Sequence, residues 1–194
     1  MGIDADGMDG HLRPNHFGPF LLTCCLAPYL DNGARVVNVG SNAHYRGSLH
    51  IANGAIQGNP RNWYGRYARS KLCNVLFTLE LQRRLPHNSN VLACCVSPGR
   101  VYTNIFNNVP GCLRPVLHAI ASTCFQTPAQ GAHTILYACT SPDVHRHTLY
   151  LHDCKPVEAS AVGRDAALAQ TLWTVSERVV GLQPHERAPL LFGN

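Results

Sequence analysis

Charged side chains are scarce in this sequence and form no basic surface. Asp, Glu, Lys and Arg make up 14% of the 194 residues and hydrophobic residues 45%, which is typical of a globular chain and excludes a disordered one. The formal net charge of +5 comes from scattered arginines, and the doublet Arg83-Arg84 ends a predicted helix, where cations complement the helix dipole. No basic stripe alternates with aromatic residues, so we expect no nucleic-acid partner.

Metal-ligand and disulfide patterns are also missing. The nine cysteines include no Cys-x-x-Cys pair, and no His-Glu-x-x-His lies among the eleven histidines, so we expect no structural metal. The doublets Cys24-Cys25 and Cys94-Cys95 lie inside apolar runs. An odd number of cysteines without ligand spacing favours reduced, buried thiols in a reducing compartment.

The sequence lacks a secretory signal and a run of apolar residues long enough to cross a membrane. Residues 1–6 are acidic and poor in apolar side chains, which does not fit a signal peptide. The longest apolar stretch, residues 17–30, is interrupted by Gly18, Pro19 and Pro28 and is too short to span a bilayer. As it stands, the sequence is that of a cytoplasmic chain, but these absences do not identify its compartment, which stays unknown at this stage.

Hydrophobic periodicity predicts one domain of alternating helices and strands. Helices are expected at 15–30, 62–85, 129–140 and 163–182, strands at 35–40, 91–96 and 148–151, and a long loop at 42–61. The first helix is nearly all apolar, so we expect burial on most of its sides. The alternation predicts an α/β fold with a parallel sheet, followed by a flexible tail at 183–194.

Tyr67 and Lys71 are the candidate catalytic pair. They lie four residues apart in the predicted helix at 62–85, so one helix face carries a phenol and an ammonium, one turn apart. A nearby cation favours the ionised form of a phenol, and such a tyrosine can exchange a proton with an alcohol or carbonyl. Alone, the pair is also compatible with two surface neighbours on a helix.

Further polar residues stand where open α/β sheets build their sites. Ser41 follows the strand at 35–40, Asn15 begins the first helix, and Ser-Pro-Gly-Arg-Val-Tyr-Thr at 97–103 follows the strand at 91–96. The carboxyl ends of parallel strands meet at one edge of a sheet. Taken singly, Ser41 is also typical of a turn cap, Asn15 of a helix N-cap, and the Pro-Gly pair of a turn.

The order of these residues resembles the short-chain dehydrogenase/reductase family, and within it the retinol-dehydrogenase-like branch. An asparagine, a serine, Tyr-x-x-x-Lys and Pro-Gly-x-x-x-Thr follow one another in the family's order. Residues 15–23, 67–78 and 126–131 carry the resemblance to the branch. The similarity runs from about residue 7 to residue 182 and so covers nearly the whole chain.

The resemblance implies a role for each of these positions. Tyr67 would be the general acid or base, and Lys71 would assist it and hold the nicotinamide ribose. Ser41 would hydrogen-bond the substrate oxygen and stabilise its developing charge, and Asn15 would position a water in the proton relay. The residues expected to hold the nicotinamide end of the cofactor, beside Tyr67 and Lys71, are Pro98, Gly99, Val101 and Thr103.

The phosphate-binding part of that fold has no counterpart in the sequence. The family's Rossmann-type, doubly wound parallel sheet begins with a strand, a glycine-rich turn and a helix that hold the pyrophosphate. Here there is no Gly-x-x-x-Gly-x-Gly, no Gly-x-Gly-x-x-Gly and no P-loop. We therefore expect an N-terminally truncated, C-terminal part of the fold without its first four strands, with a valine-rich edge at 35–40.

Two functional interpretations stay open at this stage. The first is an oxidoreductase that transfers a hydride between NAD(P)(H), with NADP(H) favoured by the resemblance alone, and a lipophilic alcohol or carbonyl compound such as a retinoid. Apolar residues at 104–125 would lie near that substrate, although they could equally cover the sheet. The second is a non-catalytic short isoform or incomplete gene model that pairs with a full-length relative. As the resemblance implies, helices 15–30 and 62–85 would form the contact with that relative. The same helices would form the contact between two copies of this chain in a homodimer.

Overall fold

The computed structural model describes residues 9–87, 89–99, 101 and 125–183. A π-helical turn, Arg13–Phe17, leads into the first of the α-helices, which are α1 (Gly18–Leu26), α2 (Trp63–Arg84), α3 (Pro128–Thr140) and α4 (Ala166–Val180). The strands are β1 (Arg35–Val39), β2 (Ile51–Ala52), β3 (Ala55–Ile56), β4 (Leu92–Ser97), β5 (Tyr150–His152) and β6 (Lys155–Pro156). Short 3-10 helices cover Ala27–Tyr29, Asn42–Arg46 and Val162–Arg164.

The main sheet has the strand order β1-β4-β5-β6. β1 and β5 both run parallel to β4, whereas β6 returns antiparallel to β5. Helices connect the parallel strands, so the predicted α/β fold class is confirmed. Within the described residues, β1 has β4 as its neighbour and lies at one edge of the sheet. Val39 at its end is 42% exposed, as expected for a valine-rich edge strand.

Helices cover both faces of this sheet. On one face, Phe20 of α1, Phe77 of α2 and Trp173 of α4 pack against one another in a single apolar cluster. On the other face, Ala138 of α3 packs against β4 and β5. Every residue of β4 is buried, because a central parallel strand has a helix layer on each side. This explains why its sequence reads as an uninterrupted apolar run.

The first helix is less buried than its sequence suggested. Phe20 and Cys24 are buried, but Leu22 and Leu26 are 61% and 49% exposed. The expectation of burial on most sides was therefore wrong. The reason is that α1 packs through one face, while its other face meets solvent in the described part of the chain. Its helical stretch also starts earlier than predicted, in the π-helical turn at Arg13.

Residues 42–61 form more structure than the predicted long loop. They contain a 3-10 helix and the hairpin β2–β3, whose turn residues Asn53 and Gly54 both have positive φ, 51° and 71°. A two-residue Asn-Gly turn of this kind matches the twist of paired strands. The predicted strand at 148–151 begins at Tyr150 and extends to His152, then returns as β6.

Some predicted features lie outside the described residues. They are Thr103, the segment 104–125 apart from Phe125, and the tail 183–194 apart from Gln183. Among the helices of the described residues, none combines the length and the apolar character that a membrane crossing requires.

Candidate active site

Ser41 lies just past the end of the edge strand β1. Gly40 precedes it and approaches β4 so closely that a Cβ atom there would lie 2.6 Å from the Cys95 Sγ, so the position requires glycine. Ser41 caps the 3-10 helix Asn42–Arg46, and its Oγ accepts a hydrogen bond of 3.1 Å from the Ala43 N–H. Because Oγ is the acceptor in that bond, its own proton is left to donate to another group.

Tyr67 and Lys71 lie on the same face of α2, as their spacing predicted. The Lys71 Nζ is 5.7 Å from the centre of the Tyr67 ring, a distance at which a cation is attracted to the π-face. Nζ also donates a 2.9 Å hydrogen bond to the Val39 carbonyl. Burial lowers the pKa of Lys71, and the nearby Cys95 thiol opposes that shift. The ammonium therefore ties the Tyr67 face of α2 to the backbone of β1 beside Ser41.

The Tyr67 ring also stacks on the indole of Trp63. The two rings are parallel within 1°, with their centres 5.6 Å apart. Trp63 is 47% exposed, so its indole presents a flat apolar surface next to the phenol. Stacking on Trp63 and the cation of Lys71 together restrict the orientation of the Tyr67 side chain.

Asn15 is connected to the same helix from the other direction. Its amide Nδ2 donates a 2.9 Å hydrogen bond to the Ser70 Oγ, which donates a 2.8 Å bond to the Tyr67 carbonyl. Asn15 lies inside the π-helical turn Arg13–Phe17, so the interpretation of this residue as a helix N-cap is wrong. Among the hydrogen bonds of the described residues, none joins the side chains of Ser41 and Tyr67 directly.

The segment after β4 lies at the same edge of the sheet. The Gly99 N–H is 3.4 Å from the Ser97 Oγ, and Val101 forms a parallel bridge with Gln126. Val101 packs so closely on α3 that a Cβ atom on Gly131 would lie 2.3 Å from its Cγ2. Pro98 and Gly99 are half-buried in this turn. Strands β1 and β4 thus bring their carboxyl ends, and the candidate residues that follow them, to one edge.

Sequence reasoning missed a buried aromatic group beside Ser41. Tyr150 at the start of β5 is 1% exposed, and its hydroxyl donates a 3.0 Å bond to the Asn42 Oδ1. Burial raises the pKa of Tyr150, although a bond with Ser97 acts in the opposite direction. Burial also raises the pKa of the Cys95 thiol to about 12, against the opposing charge of Lys71. The tyrosine inside the predicted strand at 148–151 was the signal available in the sequence.

A cavity of about 590 Å³ lies away from these residues. Its lining includes Asp9, Ile56, Arg69 and Arg178, and it does not include Ser41, Tyr67 or Lys71.

The Arg69 guanidinium donates a 2.8 Å bond to the Asp9 carboxylate, and both side chains are buried. Burial alone would raise the pKa of Asp9, but hydrogen bonds from His11 and Arg69 outweigh it and lower the pKa. This pair joins the segment before α1 to α2.

Known dehydrogenases and reductases are similar to this chain over most of its length. No protein-family model matches the chain. It is 36% identical over 185 residues to mouse (Mus musculus) retinol dehydrogenase 14, covering 91% of this chain and 54% of the relative. It is 38% identical over 184 residues to the bovine (Bos taurus) dehydrogenase/reductase SDR family member 13, covering 91% and 48%. The chain thus spans about half the length of the curated relatives it matches.

A solved structure agrees with these relatives. The crystal structure of an uncharacterized protein from Mycobacterium paratuberculosis superposes with a TM-score of 0.63 at 30% identity, covering 86% of this chain and 57% of the other. The shared fold, the named relatives and the order of Asn15, Ser41, Tyr67 and Lys71 lead to one assignment. The chain belongs to the short-chain dehydrogenase/reductase family.

Proposed function

We propose that this chain carries the catalytic residues of an oxidoreductase that transfers a hydride between NAD(P)(H) and a lipophilic alcohol or carbonyl compound. The observation that carries the proposal is the position of Lys71. Its ammonium lies 5.7 Å from the Tyr67 ring and bonds to the Val39 carbonyl, two residues before Ser41. A proton-transferring phenol, a cation and a serine hydroxyl are thereby held around one edge of the sheet.

Each residue has a chemical role in this proposal. Tyr67 gives its phenolic proton to the substrate oxygen during reduction and takes it back during oxidation. Ser41 donates its hydroxyl proton to the same oxygen and stabilises the negative charge that develops there. Asn15, bonded through Ser70 to the Tyr67 carbonyl, holds the turn before α1 beside α2, where it would order a water for proton relay.

The residues at this edge fit the nicotinamide end of a dinucleotide. Lys71 supplies donors for a ribose hydroxyl, and the turn at Pro98 and Gly99, followed by Val101, supplies backbone groups for the carboxamide. Thr103 lies outside the described residues, and its assignment to the same end of the cofactor comes from the family resemblance alone. When bound, the nicotinamide accepts or supplies the hydride. No glycine-rich phosphate-binding turn occurs in the sequence, so the pyrophosphate end finds no such anchor in this chain. NADP(H) is the form that the family resemblance favours.

A lipophilic substrate is supported by the surface next to the phenol. Trp63 is 47% exposed and stacks on Tyr67, so an extended apolar molecule that reaches the phenol would lie against its indole. The name of the mouse relative, retinol dehydrogenase 14, supports the same class of substrate. A retinoid is therefore the first compound to test.

The test is turnover of retinal with NADPH, and of retinol with NADP⁺, by the wild-type chain and by Tyr67→Phe. The cofactor is supplied well above micromolar concentration, because the sequence has no glycine-rich phosphate-binding turn and weak cofactor binding is expected. The substitution removes the proton donor and keeps the ring, so we expect a loss of about 10²–10⁴-fold. Tyr64→Phe, an exposed tyrosine on the same helix, is the matched control and should keep wild-type activity. Turnover that survives in Tyr67→Phe would remove this residue from its role, and an inactive wild-type chain would reject catalysis by this polypeptide.

We also propose that the chain forms a homodimer, with α1 as the principal contact. Its exposed face carries Leu22, Leu26 and the adjacent Tyr29, which are 61%, 49% and 78% exposed. Most apolar side chains of α2, by contrast, pack inside the chain, so this proposal gives α2 the smaller part of the contact. Sedimentation velocity should show a dimer that Leu22→Glu converts to a monomer. A monomeric wild-type chain at micromolar concentration would contradict this assembly.

A further inference from the structure

The turn that carries Ser41 is attached to the chain segment that includes β5 and the residues after β6. We propose that His44 and Tyr150 are positioning residues that hold the Ser41 hydroxyl in place. The inference rests on the proposed function, in which Ser41 donates a hydrogen bond to the substrate oxygen. It adds to that function a set of contacts from residues 150–160, which lie far from Ser41 in the sequence.

Ser41 has little support from its own neighbours. It follows the edge strand β1, has an extended backbone (φ −170°, ψ 152°) and caps a 3-10 helix of five residues. Short 3-10 helices are seldom stable without outside contacts. The bond from the Ala43 N–H to the Ser41 Oγ orients the hydroxyl relative to the turn. It does not fix the turn relative to the sheet.

His44 connects this turn to the segment after β6. Its Nδ1 lies 2.8 Å from the Ser41 carbonyl, and its Nε2 lies 3.1 Å from the Ser160 N–H. A backbone N–H can only donate, so Nε2 is the acceptor and Nδ1 carries the proton that it gives to Ser41. The neutral ring with its proton on Nδ1 therefore bridges Ser41 and Ser160. The side chain is fully buried, and its ring contacts the rings of Tyr45 and Tyr150 at centre distances of 4.1 and 4.6 Å.

Tyr150 contacts the Ser41 turn through both its hydroxyl and its ring. Its hydroxyl donates to the Asn42 Oδ1 at 3.0 Å, and its ring lies against Gly40, where a Cβ atom would be 3.4 Å from the Tyr150 Cε2. Asn42 in turn contacts the His152 ring, with 3.2 Å between Nδ2 and Nε2. Tyr150 thus contacts the residue before Ser41 and the residue after it.

A further contact completes the attachment. The Tyr45 hydroxyl donates to the Glu158 carbonyl. The backbone on the other side of Ser41 is held by Lys71, which bonds the Val39 carbonyl. The residues on both sides of Ser41 are therefore hydrogen-bonded to other elements, while the Ser41 hydroxyl proton remains available to donate to a substrate. An aligned hydroxyl is worth most when its support does not have to reorganise during the reaction.

Amide hydrogen exchange tests the attachment without requiring turnover. The variants are Tyr150→Phe, which removes only the hydroxyl, and His44→Phe, which removes both ring nitrogens, with Tyr64→Phe as control. We expect the Ala43 and His44 amides to exchange about tenfold faster in both variants, while the amides of β4 stay protected as in wild type. Unchanged exchange in the turn overturns the inference. Equal acceleration in the turn and in β4 also overturns it, because the role would then be general stability.

Conservative variants of His44 separate its two bonds. The amide of His44→Asn can replace Nδ1 as the donor to Ser41, and the longer His44→Gln can replace Nε2 as the acceptor from Ser160. We expect His44→Asn to restore most of the protection of the turn. A His44→Asn variant that exchanges as fast as His44→Phe would remove the Ser41 bond from the inference.

Kinetics separate this inference from the proposed function. With an active wild-type chain, Tyr150→Phe and His44→Phe should lower kcat about tenfold or more and leave the KM for the cofactor within about twofold. Unchanged kcat alongside a loosened turn overturns the positioning role. If the wild-type chain shows no turnover, the proposed function fails, and the exchange experiment still decides whether His44 and Tyr150 hold the Ser41 turn.

Discussion

The buried His16 should make the stability of this protein fall steeply in mild acid. The ring is fully buried and lies near Phe17, Phe20 and Phe77, with centre distances of 5.0, 6.3 and 6.0 Å. The Ser176 hydroxyl donates to the Leu172 carbonyl, so its oxygen accepts from the His16 Nε2 at 2.8 Å. Among the described residues the buried Nδ1 has no hydrogen-bond partner. A protonated ring would therefore be a buried cation without an acceptor for its second proton.

The sign and size of the effect follow from this burial. Burial lowers the pKa of His16 from 6.5 to about 3, so between these values the unfolded chain binds a proton that the folded chain does not. Stability from this group is complete above pH 6.5 and is lost as the pH falls toward 3. Integration gives a loss of about 2 kcal/mol between pH 7 and pH 5, and of about 4 kcal/mol between pH 7 and pH 3. Small domains are stable by only about 5–15 kcal/mol, so the loss is a large share.

The assay is urea unfolding at pH 7, 6 and 5, followed by the fluorescence of the buried Trp173. His16→Leu keeps an apolar side chain among the aromatic rings and removes the titrating group. We expect the free energy of unfolding of wild type to fall by about 2 kcal/mol more than that of the variant between pH 7 and pH 5. His44, whose pKa burial also lowers, is present in both proteins and cancels in the difference. Equal losses in wild type and variant would refute the reasoning, and the exposed His147→Leu should behave as wild type.

Other predictions concern the ion pair, the aromatic surface and the cofactor. Asp9→Asn leaves the buried Arg69 without its carboxylate and should cost about 3–5 kcal/mol in urea unfolding; a loss below 1 kcal/mol would contradict a buried charge pair. Trp63→Ala should raise the KM for retinal several-fold and change the KM for a short aldehyde little, because only the longer substrate reaches the indole; equal effects on both would reject the contact. In calorimetric titration the chain should bind NADP(H) weakly or not at all, and micromolar affinity would disprove this.

The elements that local pattern specifies could be predicted from the sequence. The apolar run of β4 and the period of α2 gave both elements within a residue or so of their bounds. The spacing of Tyr67 and Lys71 alone placed them on one helix face. The hairpin β2–β3 was missed although its Asn53-Gly54 turn was readable, because its strands have only two residues each. A strand of two residues is too short to show an alternating hydrophobic pattern.

The support around the site could not be predicted from the sequence. Tyr150 and Asn42 are 108 residues apart, and His44 and Ser160 are 116 apart, so no local pattern pairs them. The same holds for Asp9 and Arg69, 60 residues apart. The exposed face of α1 was missed for a different reason. When a helix is apolar on all sides, its sequence does not show which face is buried. The elements packed around it in the fold determine that face.

The edge strand β1 contributes backbone groups to the candidate active site. One side of β1 is paired with β4, and its end supplies both Ser41 and the Val39 carbonyl that receives the Lys71 ammonium. Within the described residues the other side of β1 has no paired strand, and a strand added there would restrict the same backbone that fixes the distance between the serine and the phenol. Such binding would shift the population of site geometries without touching a substrate. The distance between the Ser41 hydroxyl and the Tyr67 phenol therefore depends on how firmly the backbone of β1 is held.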